Sequence, residues 1–292
     1  MSDTLDASIG CLQPGMEVGS FTVMECLGVG ALGESYSAVG PSGTEDTVVH
    51  LLSPQKIPSD QMMLRLDGLL ERGNGIQNSH VLEFVGAETD EFFNWVAFRK
   101  SDLFSLNAMI EARREGGFGM FGEKEVRRII FQVLLALCVL HKRGIVHGSI
   151  KPAHCFVDED LRLEISDAGL YPLIEFPSHY GPPDEGALSN DIPGFSPQVS
   201  SVIESTIFNA PECAERPEFT VESDLYSVGF LTWYLFSGHK RAGANFFYEL
   251  SEEIRSEWGA WFLRATEPLP ENRFHSAEEM LSEMPGVEIV AE

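Results

Sequence analysis

An α+β fold of two unequal lobes is what this sequence predicts, and three observations carry the prediction. From Ser20 to Arg99 the apolar residues fall in short β-branched runs separated by turn residues, the mark of strands, with one helical stretch among them. After Lys100 the apolar runs lengthen and recur every three or four residues, the mark of helices. At 292 residues the chain is long enough to bury a substantial core. The expected divisions are a leader over 1–17, a small β-rich lobe with one main helix over 18–99, a larger, mainly helical lobe over 100–285, and a tail over 286–292. A cleft is expected where the lobes meet, a usual place for a ligand.

The elements follow in order. "SFTVMECLG", "SYSAVG", "DTVVHLL", "VLEFVGAE" and "NWVAFR" read as about five strands. Among them "QMMLRLDGLLER" sets Met62, Leu66, Leu69 and Leu70 on one helical face and stops at Gly73 and Asn74. "EKEVRRIIFQVLLALCVLHKRG" places Val126, Ile130, Val133, Leu137 and Leu140 at helical spacing. Its first turn is acidic and its last basic, which complements the helix dipole at both ends. "ESDLYSVGFLTWYLFSG" is apolar nearly all round, as a helix in a domain centre would be. "SAEEMLSEM" opens with Ser276 and Glu279 in capping-box spacing.

Composition narrows the function classes. The formal net charge is −25, a field that repels nucleic acid and anionic membrane, so neither is an expected partner. No apolar run approaches the roughly 20 residues that cross a bilayer. "MSDTLDASIG" lacks the basic start and apolar middle of a secretory signal, so a cytoplasmic setting is expected. Cys11, Cys26, Cys138, Cys155 and Cys213 are widely spread with no CxxC pair, which suits free thiols rather than disulfides or a zinc site.

The chemistry-bearing motifs come next. Gly28, Gly30 and Gly33 in "GVGALGESY" have G-x-G-x-x-G spacing between two strands, which favours a backbone flap over phosphates; a ligand-free hairpin is the plain alternative. Then come "VVHLL", "VHGSIKPAHCF", "ISDAGL", "NAPE", "SDLYSVG" and "ENRF". This order resembles the protein kinase family, especially bacterial serine/threonine kinases, over roughly residues 15–285. The resemblance implies a two-lobed kinase-like fold and positions for ATP, with or without magnesium.

Position by position, the resemblance divides. "VHGSIKPAH" is similar to the catalytic loop H-R-D-x-K-x-x-N: His147 and Lys151 match, while Gly148, Ser149 and His154 replace the arginine, aspartate and asparagine. Asp167, Ala168 and Gly169 resemble D-F-G, with the metal-binding aspartate kept as the one candidate metal ligand. His50 stands where the resemblance expects the phosphate-holding lysine, and Val48 and Ser35 alter the expected nucleotide pocket. Phe98 falls just before the inter-lobe hinge. The lysine's usual glutamate partner is not evident; Asp67 or Leu69 is nearest. Scaffold positions survive: Glu212 in "APE" with Arg273 as its implied ion-pair partner, and Asp224 implied to hold the catalytic loop. Gly28, Gly30, Gly33, His50, Phe98, Lys151 and Asp167 are thus the implied nucleotide-binding candidates, and His147, Gly169, Glu212, Asp224 and Arg273 the structural ones.

A neutral serine cannot receive a hydroxyl proton as a carboxylate does, and general-base groups contribute about 10²–10⁴ in rate. The expected function is therefore that of a pseudokinase, with no catalytic set intact. It would serve as a protein-binding or regulatory module with weak or absent ATP binding. The alternative is an atypical, active ATP-dependent transferase built on the glycines, Lys151 and Asp167. Each substitution also has a plainer reading: His50 as a strand histidine bonded to a carboxylate, His154 as a turn cap, Ser149 as a backbone-bonded residue, and Lys151 paired with Asp167. A metal site from His50, His154 and Asp167 is the remotest. The long stretch between Leu170 and Asn209 is expected to be functional or disordered, with Ser200, Ser201, Ser205 and Thr206 open to modification, and the aromatics of "ANFFYEL" are expected in the core, with an interaction patch as the alternative.

Overall fold

The computed structural model describes residues 12–30, 33–44, 46–52, 59–89, 94–173, 207–215, 218–239, 248 and 250–287. Ser200, Ser201, Ser205, Thr206 and most of "ANFFYEL" lie outside the described residues, as does Cys11.

The small lobe is one antiparallel sheet in the order β1-β2-β3-β4-β6-β5. Its strands are β1 (Glu17–Val18), β2 (Phe21–Val29), β3 (Gly33–Val39), β4 (Thr47–Leu52), β5 (Phe84–Thr89) and β6 (Asn94–Arg99). Alternation along the strands sorts side chains onto two faces. One face gathers Phe21, Val23, Tyr36, Ala38, Val49, Leu51 and Trp95 into a core of its own. Trp95 meets Phe21 edge-on, with ring centroids 5.4 Å apart. The other face joins Leu52, Val96 and Phe98 to the main core, under helix α1 (Ser59–Gly73). That helix buries Met62, Leu66 and Leu69. Leu70, expected on the same stripe, is only half-buried because it stands at the stripe's margin. Leu12, inside the stretch expected as a leader, is buried in this lobe and its N–H donates to the Tyr36 hydroxyl at 3.1 Å.

The large lobe is built on helix α3 (Glu123–Lys142), whose buried residues include Val126, Ile130, Val133, Leu137 and Leu140. A small sheet of β7 (Phe104–Ser105), β8 (Cys155–Val157) and β9 (Leu163–Ile165) lies beside it. Helix α2 (Leu106–Glu115) starts at Ser105, whose hydroxyl accepts the Ala108 N–H. Its sequence carries only two buried residues, too few to stand out as a periodic pattern. Further on lie α4 (Pro211–Glu215), α5 (Val221–Ser237), α6 (Glu252–Ala265) and α7 (Ala277–Ser282). Helix α5 is buried around most of its circumference and is capped reciprocally by Thr220 and Ser223. At α7 the Ser276 hydroxyl accepts the Glu279 N–H, but the Glu279 carboxylate reaches one residue further back, to the His275 N–H at 2.7 Å. Among the described residues no helix is long and apolar enough to cross a membrane. The described cysteines are free thiols, and burial pushes Cys155 up to about 12, which makes it unreactive.

Candidate functional site

The loop from Ile145 to Asp158 and the loop after β9 form the floor of the cleft, and both are fixed by hydrogen bonds from neighbouring elements. Asp224, in the first turn of α5, accepts the His147 N–H and the Gly148 N–H, each at 2.8 Å, and faces His141 Nε2 at 2.9 Å. Three donors on one buried carboxylate define the loop's path, since a displaced loop would strand buried polar groups. Gly148 has φ +75°, and a Cβ there would lie 2.5 Å from Pro172 Cδ. Gly169 has φ +80°, and a Cβ there would lie 2.5 Å from Leu69 Cδ1 on α1. Both sites admit glycine alone, because the backbone is left-handed and the neighbours are already in contact. The turn Tyr171–Leu173 thus packs onto the loop on one side, and α1 packs onto Gly169. Arg65 on α1 donates to the Leu173 carbonyl at 3.2 Å.

Lower in the same lobe, Arg273 is fully buried and grips Glu212 with two bonds of 2.7 Å. Its remaining donors reach the carbonyls of Glu267, Pro268 and Glu222. A buried guanidinium is tolerated when every donor is used in this way.

Asp167 sits at the centre of the cleft floor with φ +61°, an uncommon conformation for a residue with a side chain. His50 comes down from β4, and its Nε2 lies 3.1 Å from Asp167 Oδ1. That contact is close but bent away from a straight hydrogen bond. The other nitrogen, Nδ1, is 2.8 Å from Ser35 Oγ on β3. On the far side, His154 Nε2 lies 3.4 Å from Asp167 Oδ2, while His154 Nδ1 is 2.9 Å from the Ser149 carbonyl. A carbonyl only accepts, so His154 carries its proton on Nδ1. Burial, with Lys151 nearby, pushes His154 down to about 3, so the ring is neutral at neutral pH and turns a lone pair toward Asp167. Burial alone would raise the Asp167 carboxyl; the rings beside it, His50 foremost, override this and hold it well below the usual carboxylate range. Asp167 is therefore ionised and, of its two ring neighbours, only His50 can turn an N–H toward it.

The remaining candidates fall around this centre. Ser149 is buried, and among the described residues its hydroxyl has no hydrogen-bond partner. Lys151 directs its ammonium to the Tyr171 hydroxyl at 3.2 Å and lies over that ring. Phe98 is buried, pairs with Val48 across the strands and meets His50 edge-on at 5.9 Å. Gly28 stands opposite Ser35, and the backbones of Gly30 and Gly33 bond to each other. Asp67 is on the exposed side of α1, while Leu69 is buried against Gly169, so neither presents a carboxylate to His50.

These residues do not fit the groups that the resemblance implied. Magnesium takes oxygen ligands in a near-octahedral set, and here one carboxylate is faced by two imidazoles. Among the described residues no three His, Cys, Asp or Glu side chains are placed to hold a metal ion. His50 turns both ring nitrogens to protein atoms, Ser35 Oγ and Asp167 Oδ1, rather than to a place where the phosphates of ATP would lie. The sequence did not single out Tyr171, His141 or Arg65. Nothing local marks them, since each acts on a partner far along the chain.

Comparison with known proteins gives the family. The profile described as "Protein kinase domain" matches residues 21–281. A probable serine/threonine-protein kinase of Clostridium acetobutylicum is 22% identical over 285 residues, covering 91% of this chain and 40% of that protein. The serine/threonine-protein kinase ULK3 of Rattus norvegicus is 25% identical over 238 residues, covering 81% of this chain and 45% of that one. The chain thus spans less than half the length of these curated relatives. The crystal structure of the Mycobacterium tuberculosis PknI kinase domain matches with a TM-score of 0.70 at 20% identity, covering 94% of this chain and 98% of that one. With the profile spanning most of the sequence and the fold shared along nearly its whole length, the chain belongs to the protein kinase family.

Proposed function

We propose that this chain is a pseudokinase, a kinase fold working as a protein-binding or regulatory module rather than by phosphate transfer. The observation that carries the reading is the state of the cleft floor. Ser149 stands buried in the position of the reacting carboxylate, and Asp167 is already engaged by His50. Phosphoryl transfer works by positioning charge around a metal-bound nucleotide. For transfer from such a nucleotide, a floor with serine in place of the reacting carboxylate and with its acid engaged by a histidine lacks the means. The partner is a protein in this reading, because a net charge of −25 disfavours nucleic acid and anionic membrane. A cytoplasmic setting goes with it.

Thermal unfolding with ATP, with and without magnesium or manganese, tests the proposal alongside an assay for γ-phosphate transfer to protein. The expected result is no metal-dependent rise in midpoint and no transfer. Ligand at about 100 times its dissociation constant would stabilise the fold by about 2.7 kcal/mol, well within detection. A metal-dependent rise together with transfer, both lost in Asp167→Ala, would establish the active transferase instead.

A further inference from the structure

Ser35, His50 and Asp167 line up in the cleft: Ser35 Oγ is 2.8 Å from His50 Nδ1, and His50 Nε2 lies 3.1 Å from Asp167 Oδ1, close but short of hydrogen-bond geometry. The three come from β3, β4 and the loop after β9, so no local sequence feature brings them together. A hydroxyl within hydrogen-bond reach of an imidazole, itself oriented by a carboxylate, is the general signature of an activated nucleophile. We propose that Ser35 is such a nucleophile, and that it takes a phosphoryl or phosphonyl group from an activated phosphorus compound whose leaving group departs without needing a proton.

The surroundings support each part. Asp167 is ionised and His50 is buried, so their attraction acts in a medium of low dielectric. With Nε2–H turned to Asp167, Nδ1 offers its lone pair to the Ser35 hydroxyl. The bend at Nε2 is of the kind that tightens when a substrate binds. Ser35 is partly exposed, and among the described residues a carbon added at Gly28, its neighbour on β2, would meet nothing within 4 Å. The Gly30 and Gly33 N–H groups are spent on each other's carbonyls. With those two donors spent, an electrophile that already carries a good leaving group, such as activated phosphorus, is the match.

In the step itself, Ser35 Oγ bonds to phosphorus and the bond to the leaving group breaks, with its electron pair going to that group. The hydroxyl proton passes to His50 Nδ1, and the resulting imidazolium is held by Asp167 until solvent removes the proton. The product is a phosphoseryl or phosphonoseryl chain. Neither nucleotide nor metal enters, so the proposal stands or falls separately from the pseudokinase reading. An adduct on Ser35 would press on the contact between His50 and Asp167, which gives a regulatory module a covalent input.

The test is labelling of the full chain with a fluorophosphonate probe, from which fluoride departs, followed by peptide mapping. The expected result is one adduct, on Ser35, absent in Ser35→Ala. In His50→Gln the labelling rate should fall by about 10²-fold or more, the usual worth of a general base. Asp167 acts through His50 and is a positioning residue. In Asp167→Asn the maximal labelling rate should fall while the probe concentration for half-maximal rate stays unchanged, a split that mere loosening of the cleft would not produce. Circular dichroism and melting of each variant check that it is folded. Mapping in the unaltered chain needs no variant: no adduct, or adducts spread over other serines, overturns the proposal. So does an unchanged rate in folded His50→Gln.

Discussion

Gly148 shows how one residue commits this loop. Its left-handed backbone and its contact with Pro172 leave no room for any side chain, let alone the arginine that the family resemblance places there. Gly148→Ala should cost about 2 kcal/mol or more, from backbone strain and overpacking together. Urea unfolding reads the loss, and a change below about 0.5 kcal/mol would mean that Pro172 moves aside freely. Restoring Arg and Asp at positions 148 and 149 is accordingly expected to damage the fold rather than to create a kinase. The replacement at Gly148 was legible in the sequence, but its reason was not. That reason is Pro172, whose packing against the loop depends on the path of the Tyr171–Leu173 turn.

At the scale of elements, the loop's shape is held by the first turn of α5. Removing the Asp224 carboxylate leaves the buried His147 and Gly148 N–H groups without an acceptor. Each orphaned donor costs about 1–3 kcal/mol, so Asp224→Ala should lose about 2–4 kcal/mol. Amide hydrogen exchange at those two positions should rise with it; protection unchanged at both would show that something else fixes the loop. Helix α5 was among the most legible elements, because an unbroken apolar sequence has only a domain centre to occupy. Helix α6 was missed. It buries Trp258, Trp261 and Phe262 at helical spacing, yet exposed Glu and Ser residues dilute the pattern. The order of motifs gave the two lobes correctly because each motif is short and sits where elements join. The alignment of Ser35, His50 and Asp167 escaped notice because it depends on strand register, which pairs Ser35 with His50, and on the placement of a loop from the other lobe.

For the molecule as a whole, two buried histidines, His147 and His154, make stability depend on pH. Burial lowers both, His154 to about 3 from an ordinary 6.5. The unfolded chain therefore takes up protons first as pH falls, and stability present above about pH 6.5 is lost on the way down toward pH 3. Each such group contributes a slope of up to about 1.4 kcal/mol per pH unit within its window. His154→Asn should flatten the decline in urea stability between pH 6.5 and 5 by about 1 kcal/mol or more. Parallel curves for the two proteins would mean that His154 takes up its proton in the folded state as well.

The two lobes also divide the tryptophans unequally. Trp95 lies in the small lobe's own core, against Phe21, while Trp233, Trp258 and Trp261 are buried in the large lobe. The small lobe thus carries a single indole emitter, in a core cluster that holds none of the other three. Its emission colour and lifetime report whether that sheet is intact, independently of the helices. Should a partner or a covalent adduct pry the cleft apart, light from this one ring would say whether the sheet moves as a unit or melts.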